Sequence, residues 1–242
     1  MDQIKSNLKQ LERRIENACR EFGRRRDELL LVAVSKTVAI ERIIMAYQAG
    51  ITAFGENRVQ EASAKIPKFI EQGFQAGWHM IGHLQTNKAK PAVRLFDIIE
   101  SIDSLKLAQT VSREAVSENK RVDVLLEVNS SGESSKFGFM PGDVISAARQ
   151  INKMENLNLR GLMTIGPFTD NKNEIEKAFA SAQTLFAQLK SEFGESIDIL
   201  SMGMSDDLEY AIKYGSTELR IGTAIFGVRK YGEGTPENPG GL

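Results

Sequence analysis

Eight times along this chain a short apolar run gives way to a longer stretch carrying an apolar stripe at steps of three and four, and this alternation limits the fold more than any other feature. The strand-like runs cover residues 29–36, 53–57, 78–82, 97–102, 123–129, 159–166, 198–203 and 218–226. Between them lie helical stripes such as Ile40, Ile43, Ile44 and Tyr47, or Ile175, Ala178, Phe179, Ala182, Leu185, Phe186 and Leu189. Repeated strand–helix units build a parallel sheet, because each helix returns the chain to the edge where the strands start. An open doubly wound sheet would usually place a glycine-rich phosphate turn after its first strand, and Ser35-Lys36-Thr37 contains no glycine. Eight units allow closure, and 242 residues match the roughly 250 of a (β/α)8 barrel, so the expected α/β fold is a single TIM barrel. Ile4, Leu8, Leu11, Ile15, Ala18 and Phe22 predict an extra amphipathic helix over 2–23, ahead of the first strand. The barrel domain is expected to span 1–230. Residues 231–242, rich in glycine and proline, are expected to be a disordered tail.

A chain that is 41% hydrophobic and 26% charged can bury a full core without disulfides or metals. Its formal net charge of -1 removes any bulk electrostatic pull toward nucleic acid or an anionic membrane. The cluster Arg24-Arg25-Arg26 is followed at once by Asp27 and Glu28 without interleaved aromatics, which reads as a solvated helix end. The single cysteine, Cys19, sits in a helical pattern and has no internal partner, as in a reducing compartment. With no apolar signal core at the start and no run near the roughly 18 apolar residues of a membrane span, the expected location is the cytoplasm.

In such a barrel the chemistry sits where the strands end. Pooling those ends gives Lys36, Glu56, Asn57, His79, His83, Asp103, Asn129, Thr164, Ser201, Ser205, Arg220, Gly222 and Thr223. Lys36 closes Leu-Leu-Leu-Val-Ala-Val-Ser-Lys-Thr (29–37), a run apolar enough for a strand covered on both faces. An ammonium there either snorkels to water, lowers its pKa, or is consumed in a Schiff base with an aldehyde. Barrels often hold a phosphate at the loops after strands 7 and 8, and Ser201 to Asp207 with Arg220 to Thr223 offer hydroxyls and bare backbone there. Ser205 is equally placed to cap a helix over 206–214. His79 and His83 share the i, i+4 spacing of a zinc motif but straddle a strand, and the sequence reveals no third ligand, so no metal is expected. Lys136, on the glycine-bounded loop 132–138, and Lys88 read as exposed lysines near the same rim.

The segments Val-Ala-Val-Ser-Lys-Thr (32–37), Phe-Gly-Glu-Asn-Arg-Val-Gln-Glu (54–61), Trp-His-Met-Ile-Gly-His-Leu-Gln-Thr-Asn-Lys (78–88), Leu-Ser-Met-Gly-Met-Ser-Asp-Asp (200–207) and Arg-Ile-Gly-Thr-Ala-Ile-Phe-Gly (220–227) resemble the pyridoxal phosphate homeostasis protein family. That family is similar in fold to the N-terminal barrel of alanine racemase and carries or regulates the cofactor without an established reaction. The resemblance implies pyridoxal 5'-phosphate held as a Schiff base on Lys36. It implies Ser201, Gly222 and Thr223 around the phosphate, with Met202 beside them among the cofactor-binding positions. Arg220 would face the pyridine nitrogen and Asn57 would lie near the ring. The loop 134–139 departs from the pattern and leaves Lys136 without an implied role.

A permanently protonated guanidinium can only donate to the ring nitrogen, so the ring stays unprotonated and is a poor electron sink. The resemblance also implies that the second domain, which gives the related racemases another base and much of their dimer contact, is missing. A monomeric or weakly dimeric protein that stores, delivers or regulates the cofactor, with pyridoxal phosphate-dependent apoenzymes as candidate recipients, is therefore the expected function. The alternatives are an amino-acid racemase or lyase using Lys36 and a further rim base, and an interaction module in which the cofactor is structural or sensory.

Overall fold

The computed structural model describes residues 2–130, 132–133 and 136–227. The strands are β1 (Leu30–Val34), β2 (Ala53–Glu56), β3 (Gly77–Met80), β4 (Ile98–Ile102), β5 (Val122–Glu127), β6 (Leu157–Met163), β7 (Ile199–Ser201) and β8 (Glu218–Ile221). The helices are α1 (Asp2–Glu21), α2 (Ile40–Gln48), α3 (Val59–Glu71), α4 (Ala89–Leu95), α5 (Leu105–Ser117), α6 (Val144–Ile151), α7 (Lys172–Phe193), α8 (Leu208–Lys213) and α9 (Thr223–Phe226). Every strand pairs in parallel with its sequence neighbour, and β8 returns to β1 through Leu30↔Glu218 and Val32↔Arg220. The sheet is a closed (β/α)8 barrel preceded by the extra helix, as the alternation predicts.

Local chemistry sets the element ends. The apolar stripe of α1 is buried from Ile4 through Leu8, Leu11 and Ile15 to Ala18 and Cys19, and Gly23 stops it in the left-handed region at φ 66°. The polar side of α1 ties it to the end of the chain: Asn7 Nδ2 donates to Ile225 O at 2.9 Å, and Arg14 pairs with Glu209 at 2.8 Å. Arg24 donates to Ser216 O at 2.5 Å and Arg26 pairs with Glu12 at 2.8 Å, so two members of the arginine cluster act as internal clamps. Ser104 caps α5 by accepting from Leu107 N at 3.2 Å.

The largest departure from the sequence reading is strand 8, expected to run to 226. It stops at Ile221, and the next residues wind into α9, with the amides of Ile225 and Phe226 turned back onto Gly222 O at 3.0 and 2.9 Å. A short apolar run such as Ala-Ile-Phe fits a buried helical turn as well as a strand. The expected domain limit at 230 and the tail over 231–242 lie outside the described residues. Among the described residues no helix is long and apolar enough to cross a membrane.

The main hydrophobic cluster lies between sheet and helices, while Ile98, Leu125 and Met163, with Ile165 and Ile199 against them, fill part of the barrel. Closure leaves no slack at Gly161 on β6. Its φ is 150°, and a Cβ there would stand 1.9 Å from Ile199 O on β7. Gly161→Ala combines left-handed strain with a backbone collision and is expected to cost about 3 kcal/mol or more. In a chain of this size that lowers the melting temperature by roughly 6–12 °C, measurable by thermal unfolding followed by circular dichroism.

Candidate ligand site at the barrel mouth

Lys36 hangs from a backbone fixed on both sides. Along β1, Leu31 and Ala33 face the outer core, so the opposite parity of Val32, Val34 and Lys36 belongs to the barrel axis. Ser35 is fully buried, donates its amide to Gly55 O at 2.9 Å, and points its hydroxyl at Glu56 Oε1, 2.7 Å away. On the other flank Thr37 takes a left-handed φ of 62° and donates its amide to Glu61 Oε1 at 2.5 Å. Lys65, on α3, locks the two flanks together, donating to Ser35 O at 2.7 Å, Glu56 Oε1 at 3.0 Å and Glu61 Oε1 at 2.5 Å. Burial raises the Glu56 carboxyl, with Lys65 and Ser35 opposing the shift. Neither Lys65 nor Glu61 is a strand end; Glu61 closes the 54–61 segment, and its helical i, i+4 spacing from Lys65 is the sequence signal that pairs them.

The neighbours of β1 bring in the next groups. Asn57 follows β2, and Gly82 packs so closely that a Cβ there would sit 2.4 Å from Asn57 O. The Asn57 Oδ1 is buried without a hydrogen-bond partner. A cleft of about 550 Å³ opens beside it, lined by Asn57, Arg58, Gly82, His83, Gln85 and Lys88 among others. On the other side of β1, Gly222 lies against Val34, whose carbonyl would be 3.5 Å from a Cβ at that position. Just beyond, Ala224 N donates to Ser205 Oγ at 3.2 Å. Ser205 therefore joins the turn after β8 and is not the cap of α8, which starts at Leu208.

Ser201 and Met202 are placed differently from what the resemblance implies. The Ser201 hydroxyl is sealed inside the barrel, within 2.6 Å of Glu100 Oε2, 2.7 Å of Glu218 Oε1 and 2.6 Å of Arg220 Nη1. All of its hydrogen-bonding capacity is used there, which leaves none for a phosphate. Met202 has no exposed surface and belongs to the outer hydrophobic cluster, because the strand alternation that turns Ser201 inward turns it outward. Ser205, the later hydroxyl of the same motif, is the one that stands at the mouth.

Beneath the mouth runs a buried polar network. His79 Nδ1 lies 2.7 Å from Glu100 Oε1 and 3.6 Å from Glu218 Oε2, and Arg220 also donates Nη2 to Thr164 O at 2.8 Å. Ser201 has one proton to give but two carboxyl oxygens in range, so one carboxyl must itself carry a proton and donate to Oγ. Burial, then the adjacent Glu100, push Glu218 up to about 8, making it the protonated partner. Burial works against the charge on Glu100, yet His79 and Arg220 hold it below its ordinary value. Burial likewise opposes charge on His79, and Glu218 and Glu100 outweigh it and raise the ring. His79, Glu100 and Glu218 bring ligand atoms within 4.8 Å of one another, supplying the further metal-type ligands that the sequence did not reveal beside His79. Here Arg220 and shared protons balance the charge instead. His83 lies apart, 3.0 Å from Asp103 and stacked on Phe137 at 3.8 Å between centroids.

Several strand-end residues are structural. Asn129 folds the loop after β5 by accepting from Gly132 N at 2.9 Å and donating to Glu133 O at 2.7 Å, and Thr164 donates to Val128 O at 2.8 Å. Lys136, expected to be exposed, instead reaches Gly166 O at 3.1 Å and Glu133 at 2.7 Å, with its side chain only 10% accessible.

A closed barrel whose mouth gathers a lysine after β1, an asparagine after β2 and a hydroxyl-backed turn after β8 is of the alanine racemase N-terminal type, and the family model for "Alanine racemase, N-terminal domain" matches residues 1–230. The alanine racemase of Clostridium difficile shares this fold, with a TM-score of 0.76 at 18% identity over 99% of this chain and 60% of that one. Within that class the chain belongs to the pyridoxal phosphate homeostasis protein family: it is 45% identical to the member from Haemophilus influenzae over 94% of this chain and 97% of that one. PipY of Synechococcus elongatus, in a structure with pyridoxal phosphate bound, superposes with a TM-score of 0.80 at 34% identity, covering 93% of this chain and 100% of that one.

Stability should report the Glu218 proton. Its folded pKa lies above the ordinary 4.5, so the folded state holds a proton that the unfolded chain has lost, and stability declines as pH rises until Glu218 ionises near 8. The slope is up to about 1.4 kcal/mol per pH unit for one proton. Urea denaturation of Glu218→Gln between pH 6 and pH 9 is expected to show a shallower loss than wild type, since the amide still donates to Ser201 and does not titrate.

Proposed function

We propose that the chain binds pyridoxal 5'-phosphate at this mouth, as a carrier or regulator in intracellular cofactor homeostasis, with the aldehyde held as a Schiff base on Lys36. The observation that carries this reading is the grouping on adjacent strands of Lys36, Asn57 and the Gly222–Ser205 turn, with buried polar oxygens at Asn57 and Glu127 still unpartnered in the protein. Unpartnered buried oxygens of that kind are what a polar ligand would satisfy. The family to which the chain belongs, and a relative whose structure contains the same cofactor, support it further.

When bound, the cofactor supplies an aldehyde for amine capture and a ring able to accept electrons. In this reading Lys36 provides the amine. The backbone at Gly222 and Thr223 faces the phosphate, and Ser205, whose oxygen already accepts from Ala224, has its own proton left to donate. Asn57 contacts the ring, and Arg220 faces its nitrogen with donors not used on Ser201 and Thr164. Because Arg220 can only donate, that nitrogen stays unprotonated, which weakens carbanion chemistry and favours carriage over turnover. Apoenzymes that require the cofactor are the proposed recipients, and the acting form is a monomer in the cytoplasm.

Borohydride reduction of the loaded protein followed by peptide mapping should put the pyridoxyl label on Lys36, and Lys36→Ala should remove it while leaving the circular dichroism intact. A label found only on other lysines would overturn the assignment. Ser205→Ala should weaken phosphate-dependent affinity by roughly 10- to 150-fold, the worth of one charge-assisted hydrogen bond, as read by comparing titrations with pyridoxal phosphate and pyridoxal. Incubation with L-alanine in deuterium oxide tests carriage: the α-proton should be retained, and rapid Lys36-dependent deuteration would reveal an enzyme.

A further inference from the structure

Glu127 closes β5 at the mouth and takes part in none of the contacts assigned above. It shares the parity of Leu125, which lies in the interior cluster, so its side chain is directed to the barrel axis. It is only 7% exposed, yet its Oε2 is buried with no hydrogen-bond partner. A buried oxygen in that condition is destabilising, and a bound polar group relieves it.

Among the described residues, the polar groups around it are engaged elsewhere. From the loop after β4 comes Asp103, held 3.0 Å from His83, and on β4 itself lies Glu100, committed to His79 and Ser201. From β8 comes Arg220, fixed on Ser201 and Thr164. Just after β6, Thr164 gives its proton to Val128 O, and on the loop after β5 Lys136 pairs with Glu133. Burial, then Asp103, push the Glu127 carboxyl up to about 7, with Arg220 opposing.

We propose that Glu127 is a proton-bearing contact for the ligand of this mouth, a neutral acid that donates to the phenolic oxygen of a 3-hydroxypyridine phosphate and, once ionised, repels it. The inference rests on the function proposed above. In the closed order of eight strands β5 stands across the barrel from β1, so Glu127 faces the mouth from the side opposite Lys36, and the phenolic oxygen, the ring substituent on the far side of the aldehyde from the phosphate arm, is the group assigned to it. Binding then takes up a proton above neutrality, and cofactor retention weakens as pH rises.

The test is titration of the apoprotein with pyridoxal phosphate at pH 6 and pH 8 in wild type, Glu127→Gln and Glu127→Ala. If only the protonated form binds and its pKa is near 7, the wild-type dissociation constant should rise about tenfold more than that of Glu127→Gln over this range. The ligand's own ionisations are common to both proteins and cancel in the ratio. Calorimetry at pH 8 in two buffers of different ionisation enthalpy should detect about one proton more taken up per cofactor by wild type than by Glu127→Gln. An analogue lacking the phenolic oxygen should abolish that excess. Identical pH dependences in wild type and Glu127→Gln would overturn the proposal, as would an excess that persists with the analogue. Should the variants fail to fold, difference infrared spectra of the wild type decide: a protonated-carboxyl band that shifts when cofactor binds supports the contact, and no shift refutes it. Absence of the borohydride-trapped label on Lys36 would instead refute the underlying site.

Discussion

An arginine sealed inside a barrel cannot stand without counter-charge, and the interior of this protein is arranged around that requirement. Arg220 is 4% exposed on β8, and its neighbours include Glu100 at 3.9 Å. Desolvating a guanidinium costs several kcal/mol unless charge and hydrogen bonds return it. The answer is shared: Ser201 and Thr164 accept its protons, Glu100 supplies the negative charge, and His79 and a protonated Glu218 complete the hydrogen bonding. The arginine's direction thus follows from five strands at once, because His79 on β3, Glu100 on β4, Thr164 just after β6, Ser201 on β7 and Glu218 on β8 each contribute one group. A cationic donor set this firmly is a fixed boundary condition for whatever lies above it.

Much of the fold was legible in the sequence, because period and length are local properties. Each buried parallel strand announces itself as an apolar run, and each outer helix as a stripe such as Ile175 to Leu189. Strand 8 misled because Gly222 interrupts nothing in the hydropathy: Ala-Ile-Phe continues the apolar run while its amides fold back on Gly222. The mouth was legible to the level of strand ends and no further. Ser201 and Ser205 are equivalent in composition, and they separate only because β7 ends at Ser201, inside the barrel, while Ser205 lies in the loop beyond it. The interior network was out of reach, since Ser201 and Glu100 lie 101 positions apart and meet only when the barrel closes.

Family membership and the physical reading supply different things. Membership names a class of protein and a cofactor for its relatives. The geometry distinguishes residues within the motifs, turning the Ser201 hydroxyl into the barrel floor, leaving the Ser205 hydroxyl at the mouth and sending Met202 to the outer core. It also gives roles to groups that the motifs either lacked or left without one. Glu61 and Lys65 organise the first loop, while Glu100 and Glu218 organise the floor.

The anchoring of residues 35 and 37 has a kinetic meaning. Ser35 is held through its amide, hydroxyl and carbonyl, and Thr37 through its amide, so the peptide bearing Lys36 has little freedom to swing as a flap. Whatever the amine carries must then be passed on by rotation about the lysine's own carbon chain, a motion of picoseconds to nanoseconds when unhindered, and by bond exchange at the nitrogen. Loop opening on the microsecond scale is not part of such a handover at this strand. Were a ligand carried on that amine, its residence time would be a chemical quantity, set by attack of a competing amine on the bound carbon rather than by movement of this loop.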